Sequence, residues 1–191
     1  MISIKKITDL AHHKVGLIIK EGDRAIDATA GNGYDTIFLA EKAGPTGHVF
    51  AFDIQEEALK ATAGRLKEKG FEDRVTLIRA GHEQLALYVG GPVSVVMYNL
   101  GYLPGGGCRV KTSFETTLNS FGQALGLLKT GGIITIVLYP GHPEGRLEKK
   151  ELLNVCSKLP SSDYTVLHTG LVNQDNDPPE MIVVQKILFT A

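Results

Sequence analysis

The sequence predicts an α/β fold: a mostly parallel, seven-stranded sheet between two layers of helices, with an antiparallel hairpin at the C-terminal end. Strand-like and helix-like segments alternate between residues 24 and 158, as in folds whose helices cover both faces of a parallel sheet. Residues 93–100 are almost continuously apolar, which is typical of a strand buried on both faces. The runs 164–172 and 181–188 are joined only by NQDNDPPE, and a loop this short requires antiparallel strands.

The first half of the chain contains a leading helix and three strand-helix units. Apolar residues spaced by one, three or four positions between Ile4 and Ile18 predict an amphipathic helix within residues 1–20. Gly44-Pro45 ends a later helix, since glycine tolerates a left-handed conformation and proline cannot continue a helix. We predict strands at 24–29, 48–53 and 75–80, and helices at 34–42, 56–69 and 82–88.

The second half begins with the apolar strand 93–100 and a glycine-rich loop over 101–107. Gly131-Gly132 predicts a turn into the most β-branched strand of the chain, 133–139. We predict helices at 112–128 and 144–158 before the two final strands.

Composition excludes several classes of protein. The chain has 191 residues, of which 43% are hydrophobic and 21% are charged, as in a soluble globular domain, and we expect residues 1–191 to form one domain. The longest strongly apolar run, Ile133–Tyr139, is far shorter than the roughly 20 residues of a membrane span. We therefore expect no membrane association, and the charged N-terminal segment predicts no secretory signal.

Charge and cysteine content further restrict the classes of protein to which the chain can belong. A formal net charge of −1 means that any binding of nucleic acid must use a local basic patch. Cys108 and Cys156 are far apart and form no Cys-x-x-Cys motif, which argues against a disulfide framework or a metal site and favours the cytoplasm.

The segment DATAGNGYDTIFLA, residues 27–40, joins the first strand to the first helix of the sheet, where open α/β sheets bind ligands. Gly31 and Gly33 permit positive φ angles and a close approach of ligand to backbone. The third glycine of a dinucleotide fingerprint is replaced by Thr36, so no pyrophosphate need be bound. A glycine pair alone could also serve an ordinary strand-to-helix turn.

Asp53 lies at the end of the second strand, 20 residues after Gly33. A carboxylate at this place can accept hydrogen bonds from both hydroxyls of an adenosine ribose, and Gln55 could assist. The alternative is that Asp53 caps the helix that starts near Glu56. Gly81-His82 follow the third strand and either approach an adenine or form a turn.

These motifs together resemble the class I S-adenosylmethionine-dependent methyltransferases, which share a Rossmann-like three-layer sandwich. More narrowly, DATAGNGYDTIFLA, NLGYLPGG (99–106) and NQDNDPPEMIVV (173–184) are similar, over essentially the whole chain, to a small bacterial family known as putative rRNA methylases. The resemblance implies N-methylation of 5-aminomethyl-2-thiouridine at the tRNA wobble position (uridine 34), with rRNA as the alternative substrate. It implies S-adenosyl-L-methionine as cofactor and S-adenosyl-L-homocysteine (SAH) as product. The expected cofactor-binding residues are Asp27, Thr29, Gly31, Asn32, Gly33, Asp35, Thr36, Asp53, Gln55, Gly81 and His82.

The resemblance also points to residues for the methyl acceptor. Amino-group methyltransferases often carry Asn/Asp-Pro-Pro-aromatic after the fourth strand, and this chain keeps Asn99 and Tyr102 but has Leu100 and Gly101 in place of the prolines. Asn99 would hold the target nitrogen and Tyr102 would pack on the base, or the two would be a turn amide and a core residue. His142, after the fifth strand, is a candidate proton acceptor or a loop residue without a role, and Asp35 and residues 175–177 are further candidates.

Other functions remain open at this point. A methyltransferase for ribosomal RNA or for a small-molecule amine is the nearest alternative. A noncatalytic module that binds S-adenosylmethionine and RNA is another. An NAD-linked oxidoreductase is disfavoured by the missing third glycine and by the terminal hairpin. We also expect a homodimer, because one small domain offers little area for binding tRNA.

Overall fold

The computed structural model describes residues 6–101 and 114–187. The strands are β1 (Arg24–Asp27), β2 (His48–Asp53), β3 (Val75–Arg79), β4 (Val93–Asn99), β5 (Leu128–Leu138), β6 (Tyr164–Thr169) and β7 (Glu180–Lys186). The helices are α1 (Ile7–Gly16), α2 (Tyr34–Ala43), α3 (Glu56–Lys69), α4 (Leu85–Tyr88), α5 (Phe114–Leu127) and α6 (Pro143–Cys156), with 3₁₀ turns at Glu72–Arg74 and His82–Gln84.

The strands form one seven-stranded sheet in the order β3-β2-β1-β4-β5-β7-β6. The five strands β1 to β5 pair in parallel, whereas β7 pairs antiparallel with both β5 and β6. This confirms the predicted sheet and its terminal hairpin. The strand order reverses at β1, which lies between β2 and β4, and this point is where open α/β sheets bind ligands.

Two apolar cores lie on opposite faces of the sheet. In one core, helices α1 and α2 pack against strand residues such as Val95 and Val137. In the other, α5 and α6 pack against strand residues such as Val96 and Ile136. Neighbouring strand residues face opposite sides, so β4 is buried on both faces from Val93 to Tyr98, as predicted. In the part of the chain that the structure describes, no helix is long and apolar enough to cross a membrane.

The predicted turn at Gly131-Gly132 is wrong. Strand β5 begins at Leu128, directly after α5, and runs through both glycines. They lie in an irregular part of the ladder, where Leu128 pairs with Val93 and Ile133 pairs with Val95. The segment of β5 between these pairs is therefore longer than the segment of β4. Gly131 has a φ of +80°, and a Cβ on Gly132 would lie 2.7 Å from the carbonyl oxygen of Ser94. The glycines therefore accommodate extra residues in a strand.

Several element boundaries also differ from the prediction. The first strand ends at Asp27 rather than at residue 29, because the chain already turns towards β2, where Ala30 N donates to Phe52 O at 2.8 Å. The strand predicted over 164–172 ends at Thr169. The leading helix begins at Ile7 and ends at Gly16. Tyr102, Cys108 and most of the predicted loop over 101–107 lie outside the described residues.

Candidate functional site

The loop after β1 turns sharply between the sheet and α2. Gly31 and Gly33 have φ angles of +50° and +82°, a region that glycine adopts without steric cost. A Cβ on Gly33 would lie 2.9 Å from Oγ1 and 3.0 Å from Cα of Thr62, in α3. The Thr62 hydroxyl also donates to the Gly31 carbonyl at 3.1 Å. Helix α3 thus supports this loop. Neither glycine carries a side chain that could cover the loop backbone, and Asn32 between them is exposed.

Asp27 is a fully buried carboxylate below this loop. It accepts hydrogen bonds from Thr29 N at 3.1 Å and from Thr36 Oγ1 at 2.6 Å, so it fixes both ends of the turn. Burial, together with the neighbouring Asp35 carboxylate, raises the pKa of Asp27 from 3.8 to about 7.

This raised pKa predicts a pH dependence of stability for the ligand-free protein. Because the folded pKa lies above the unfolded value of 3.8, the folded state retains a proton that the unfolded state releases. The contribution to the free energy of unfolding is therefore full below about pH 4 and is lost as the pH rises towards 7. Replacing Asp27→Asn should flatten this part of the profile, as measured by urea denaturation between pH 4 and 8. Parallel profiles of the two proteins would contradict the assignment.

Asp53 connects the glycine loop to the start of α3. Its Oδ2 accepts a hydrogen bond from Gly31 N and its Oδ1 accepts one from Gln55 N, both at 2.9 Å. The N-cap residue of α3 is Gln55, and its side chain makes no capping hydrogen bond, so Asp53 does not occupy the capping position. A carboxylate offers about four acceptor sites, and the bonds from the described part of the chain use two of them.

Asp35, in the first turn of α2, is hydrogen-bonded to a residue that the sequence analysis did not place in the site. His12 Nε2, in α1, lies 2.5 Å from Asp35 Oδ1, and the His12 ring stacks on Phe38 with centroids 4.1 Å apart. Helix α1 therefore reaches the loop region directly. This contact depends on tertiary packing, so no local pattern could have revealed it.

Gly81 and His82 follow β3 at the same edge of the sheet. His82 is 7% exposed, and its ring packs edge-on to Tyr98 at 5.8 Å. Burial lowers the pKa of His82, and its Nδ1 is buried with no hydrogen-bond partner among the residues that the structure describes. A buried polar atom of this kind is costly to leave unsatisfied, and it marks the end of β3 as a place where a ligand or water could bind.

Asn99 is the last residue of β4 and adjoins the glycine loop. Its backbone N donates to Thr29 Oγ1 at 2.8 Å, so the two loops are directly linked. Its side-chain Oδ1 accepts a hydrogen bond from the hydroxyl of Tyr139, also at 2.8 Å. Tyr139 follows β5 and was not among the predicted site residues, because only the fold shows that its hydroxyl meets Asn99.

His142 forms the N-cap of α6. Its Nδ1 accepts a hydrogen bond from Gly145 N at 3.1 Å, and the side chain, which is 47% exposed, lies beside Glu144. Because Nδ1 is used as an acceptor for the backbone, the structure gives His142 a structural role. Its proposed role as a proton acceptor stays a prediction.

The loop between β6 and β7 lies beside the loop after β5. Asn176 and Asp177 have positive φ angles of 65° and 48°, which non-glycine residues adopt rarely. Arg146 Nη1 lies 3.3 Å from both Asp177 Oδ2 and the Pro140 carbonyl oxygen, so it connects the two loops. An open cavity of about 210 Å³ lies nearby, lined by Lys6, Ile7, Thr8, Tyr139, Leu171, Gln174 and Pro179.

The residues that are present fit S-adenosylmethionine. Asp35 and Asp53 adjoin the glycine loop, and within the described ranges no lysine or arginine forms an ion pair with either carboxylate. The resulting negative potential suits a ligand that carries an ammonium and a sulfonium group. Among the same residues no group of three or more potential ligands could hold a metal ion.

Comparisons with known proteins point in the same direction. The family model described as putative rRNA methylase matches residues 49–185. The chain is 36% identical, over 184 residues, to a chloroplastic tRNA (mnm⁵s²U34)-methyltransferase from Arabidopsis thaliana. This match covers 91% of this chain and 67% of that protein.

Solved structures match over nearly the full length. A putative rRNA methylase from Clostridium thermocellum is 42% identical with a TM-score of 0.93, and the match covers 97% of this chain and 100% of that one. A putative methyltransferase from Streptococcus mutans, in complex with SAH, is 34% identical with a TM-score of 0.88 and the same coverage.

Proposed function

The chain belongs to the putative rRNA methylase family of S-adenosylmethionine-dependent methyltransferases, and we propose that it N-methylates the 5-aminomethyl group of 2-thiouridine at the tRNA wobble position. The family and its solved members confirm the predicted class I methyltransferase fold and the predicted cofactor. The NAD-linked and noncatalytic alternatives therefore do not apply.

The proposed cofactor site consists of the glycine loop and the carboxylates around it. Asp53 would hold the ribose hydroxyls with its other two acceptor sites, and the backbone of Gly31 to Gly33 would face the methionine end. Gln55, at the start of α3, and Gly81 and His82, after β3, would face the adenine side of the ligand. S-adenosylmethionine, when bound, supplies an electrophilic methyl group on a sulfonium centre.

The proposed acceptor site is centred on Asn99. The observation that carries the assignment is the hydrogen bond between Asn99 N and Thr29 Oγ1, because it fixes the backbone of residue 99, which carries an amide, beside the loop that would hold the methyl donor. An acceptor of N–H groups at this point can align an amine for in-line attack, and alignment alone can account for a large part of such an acceleration.

The amine must be neutral to attack, so its proton needs an acceptor. Since His142 Nδ1 is occupied by the Gly145 N–H, Asp35 is the better candidate. It lies in the first turn of α2, directly after the glycine loop, and its charge adds to burial in raising the pKa values of Asp27 and Tyr139. Its partner His12 is partly exposed, and a proton could reach solvent through that ring.

The choice of a tRNA substrate is supported by the Arabidopsis relative, which is named as a methyltransferase for the modified wobble uridine. The family model, which is named for rRNA, keeps ribosomal RNA as the second candidate. The open cavity beside Tyr139 would receive the nucleobase, since the Tyr139 hydroxyl contacts Asn99.

The proposal extends to domain, assembly and location. Residues 1–191 would act as a single domain, and as a homodimer, because a second copy doubles the area available to an RNA of tRNA size. The cytoplasm is the proposed location, since a tRNA substrate is met where translation takes place. Light scattering coupled to size exclusion tests the dimer, and a monomeric mass with and without tRNA would contradict it.

Complementation tests the proposed substrate. The gene would be expressed in a bacterial strain that accumulates 5-aminomethyl-2-thiouridine because it lacks this methylation, and its tRNA nucleosides would be measured by mass spectrometry. The expected result is conversion of the aminomethyl nucleoside to its N-methyl form. Unchanged tRNA nucleosides, together with a new methylated nucleoside in ribosomal RNA, would favour the alternative substrate.

A further inference from the structure

We propose that Tyr139 is a positioning residue for methyl transfer, because its hydroxyl holds the side-chain amide of Asn99 in one orientation. This inference rests on the proposed function, in which Asn99 binds the acceptor amine. In amino-group methyltransferases that carry two prolines after this asparagine, the prolines stiffen the loop. This chain has Leu100 and Gly101 instead, and the structure offers a different source of rigidity.

The fold brings the two side chains together across neighbouring strands. Asn99 pairs with Val137 in the parallel ladder between β4 and β5, so Tyr139 leaves the sheet two residues beyond that pair. Its hydroxyl donates to Asn99 Oδ1 at 2.8 Å. The backbone beside it is fixed as well, since Leu100 N donates to Val137 O at 3.0 Å.

Gly101 makes room for the tyrosine ring. A Cβ on Gly101 would lie 3.0 Å from Cε2 and 3.3 Å from Cζ of Tyr139, closer than nearly all real contacts of a Cβ. A residue with a side chain at position 101 would therefore shift the ring. Gly101, which replaces a proline, thus permits the position of the Tyr139 ring from which the hydroxyl orients Asn99.

The hydroxyl is a permanent donor in this setting. Burial, with the nearby Asp35 carboxylate, raises the pKa of Tyr139, so the phenol keeps its proton at physiological pH. An amide oxygen has two lone pairs, and the bond from Tyr139 uses one. No other hydrogen bond to this oxygen comes from residues 6–101 or 114–187, and the second lone pair would accept an N–H of the acceptor amine in a direction set by the orientation of the amide.

Removing the hydroxyl should therefore reduce the rate of transfer more than the binding of either ligand. Tyr139→Phe keeps the ring against Gly101 and deletes only the donor. We expect the single-turnover rate constant on tRNA with the aminomethyl group to fall about 10-fold, the value of one hydrogen bond. The KM for tRNA and the Kd for S-adenosylmethionine should stay within about twofold. Tyr164→Phe is the matched control, because Tyr164 pairs with Lys186 at the opposite end of the hairpin.

A double-mutant cycle with Asn99→Ala distinguishes positioning from a general effect on the fold. Tyr139→Phe should have no further effect once Asn99 is alanine. Gly101→Ala, which displaces the ring but keeps the hydroxyl, should reproduce the rate loss of Tyr139→Phe. An unchanged rate in Tyr139→Phe, or full additivity with Asn99→Ala, would overturn the inference while the proposed function stands. A wild-type protein inactive on this tRNA would overturn the proposed function itself, and the inference with it.

Discussion

Replacing Asn99→Ala is expected to lower kcat for tRNA methylation about 100-fold, because a displacement of about 1 Å at the reacting nitrogen can have an effect of this size. The Kd for S-adenosylmethionine should hardly change, since the carboxylates and the glycine loop are proposed to hold the cofactor. The backbone bond from residue 99 to Thr29 does not depend on the side chain, so the loop should remain in place. Steady-state kinetics and calorimetric titration measure the two quantities separately.

The control for this variant is Asn154→Ala, on the exposed side of α6, which should leave both quantities unchanged. Wild-type turnover by the Asn99→Ala protein would reduce Asn99 to a structural turn amide. Loss of cofactor binding in the same variant would instead place Asn99 on the cofactor side.

Replacing Asp53→Ala is expected to weaken S-adenosylmethionine binding by about 1–3 kcal/mol, or roughly 5- to 150-fold in Kd. The ribose would lose its hydrogen bonds to the carboxylate, and the Gly31 and Gln55 N–H groups would lose their acceptor. Asp73→Ala, at an exposed turn before β3, is the matched control and should bind normally.

An analogue of SAH without the two ribose hydroxyls separates these contributions. It should bind the wild-type protein more weakly than SAH does, whereas the Asp53→Ala protein should bind both with the same Kd. If the variant discriminated between them as the wild type does, the ribose would be held elsewhere.

The arrangement of the sheet could be predicted from the sequence because local patterns encode it. The apolar run of β4 and the short connection between β6 and β7 each allow one interpretation only. The Gly131-Gly132 pair predicted a turn, but these glycines lie in an irregular strand because of the pairing with Val93 and Val95. Such pairing across strands leaves no local signature.

The sequence predicted the residues around the glycine loop but not the side-chain contacts of Asn99 and Asp35. Asp27, Gly31 and Asp53 could be identified because each occupies a fixed position after a strand, and the structure brings them together around one loop. The contacts of Tyr139 with Asn99 and of His12 with Asp35 join residues 40 and 23 positions apart. They arise from packing between elements, so a reading of motifs could not find them.

Methyl transfer by the purified protein is the decisive assay of the proposed activity. Labelled S-adenosylmethionine would be incubated with the protein and either tRNA that carries the 5-aminomethyl group or the same tRNA without it, and the product nucleosides would be separated. We expect label on the wobble nucleoside of the first tRNA only, with a strong loss of rate in Asn99→Ala. Equal labelling of both tRNAs, or label on ribosomal RNA alone, would contradict the proposed activity.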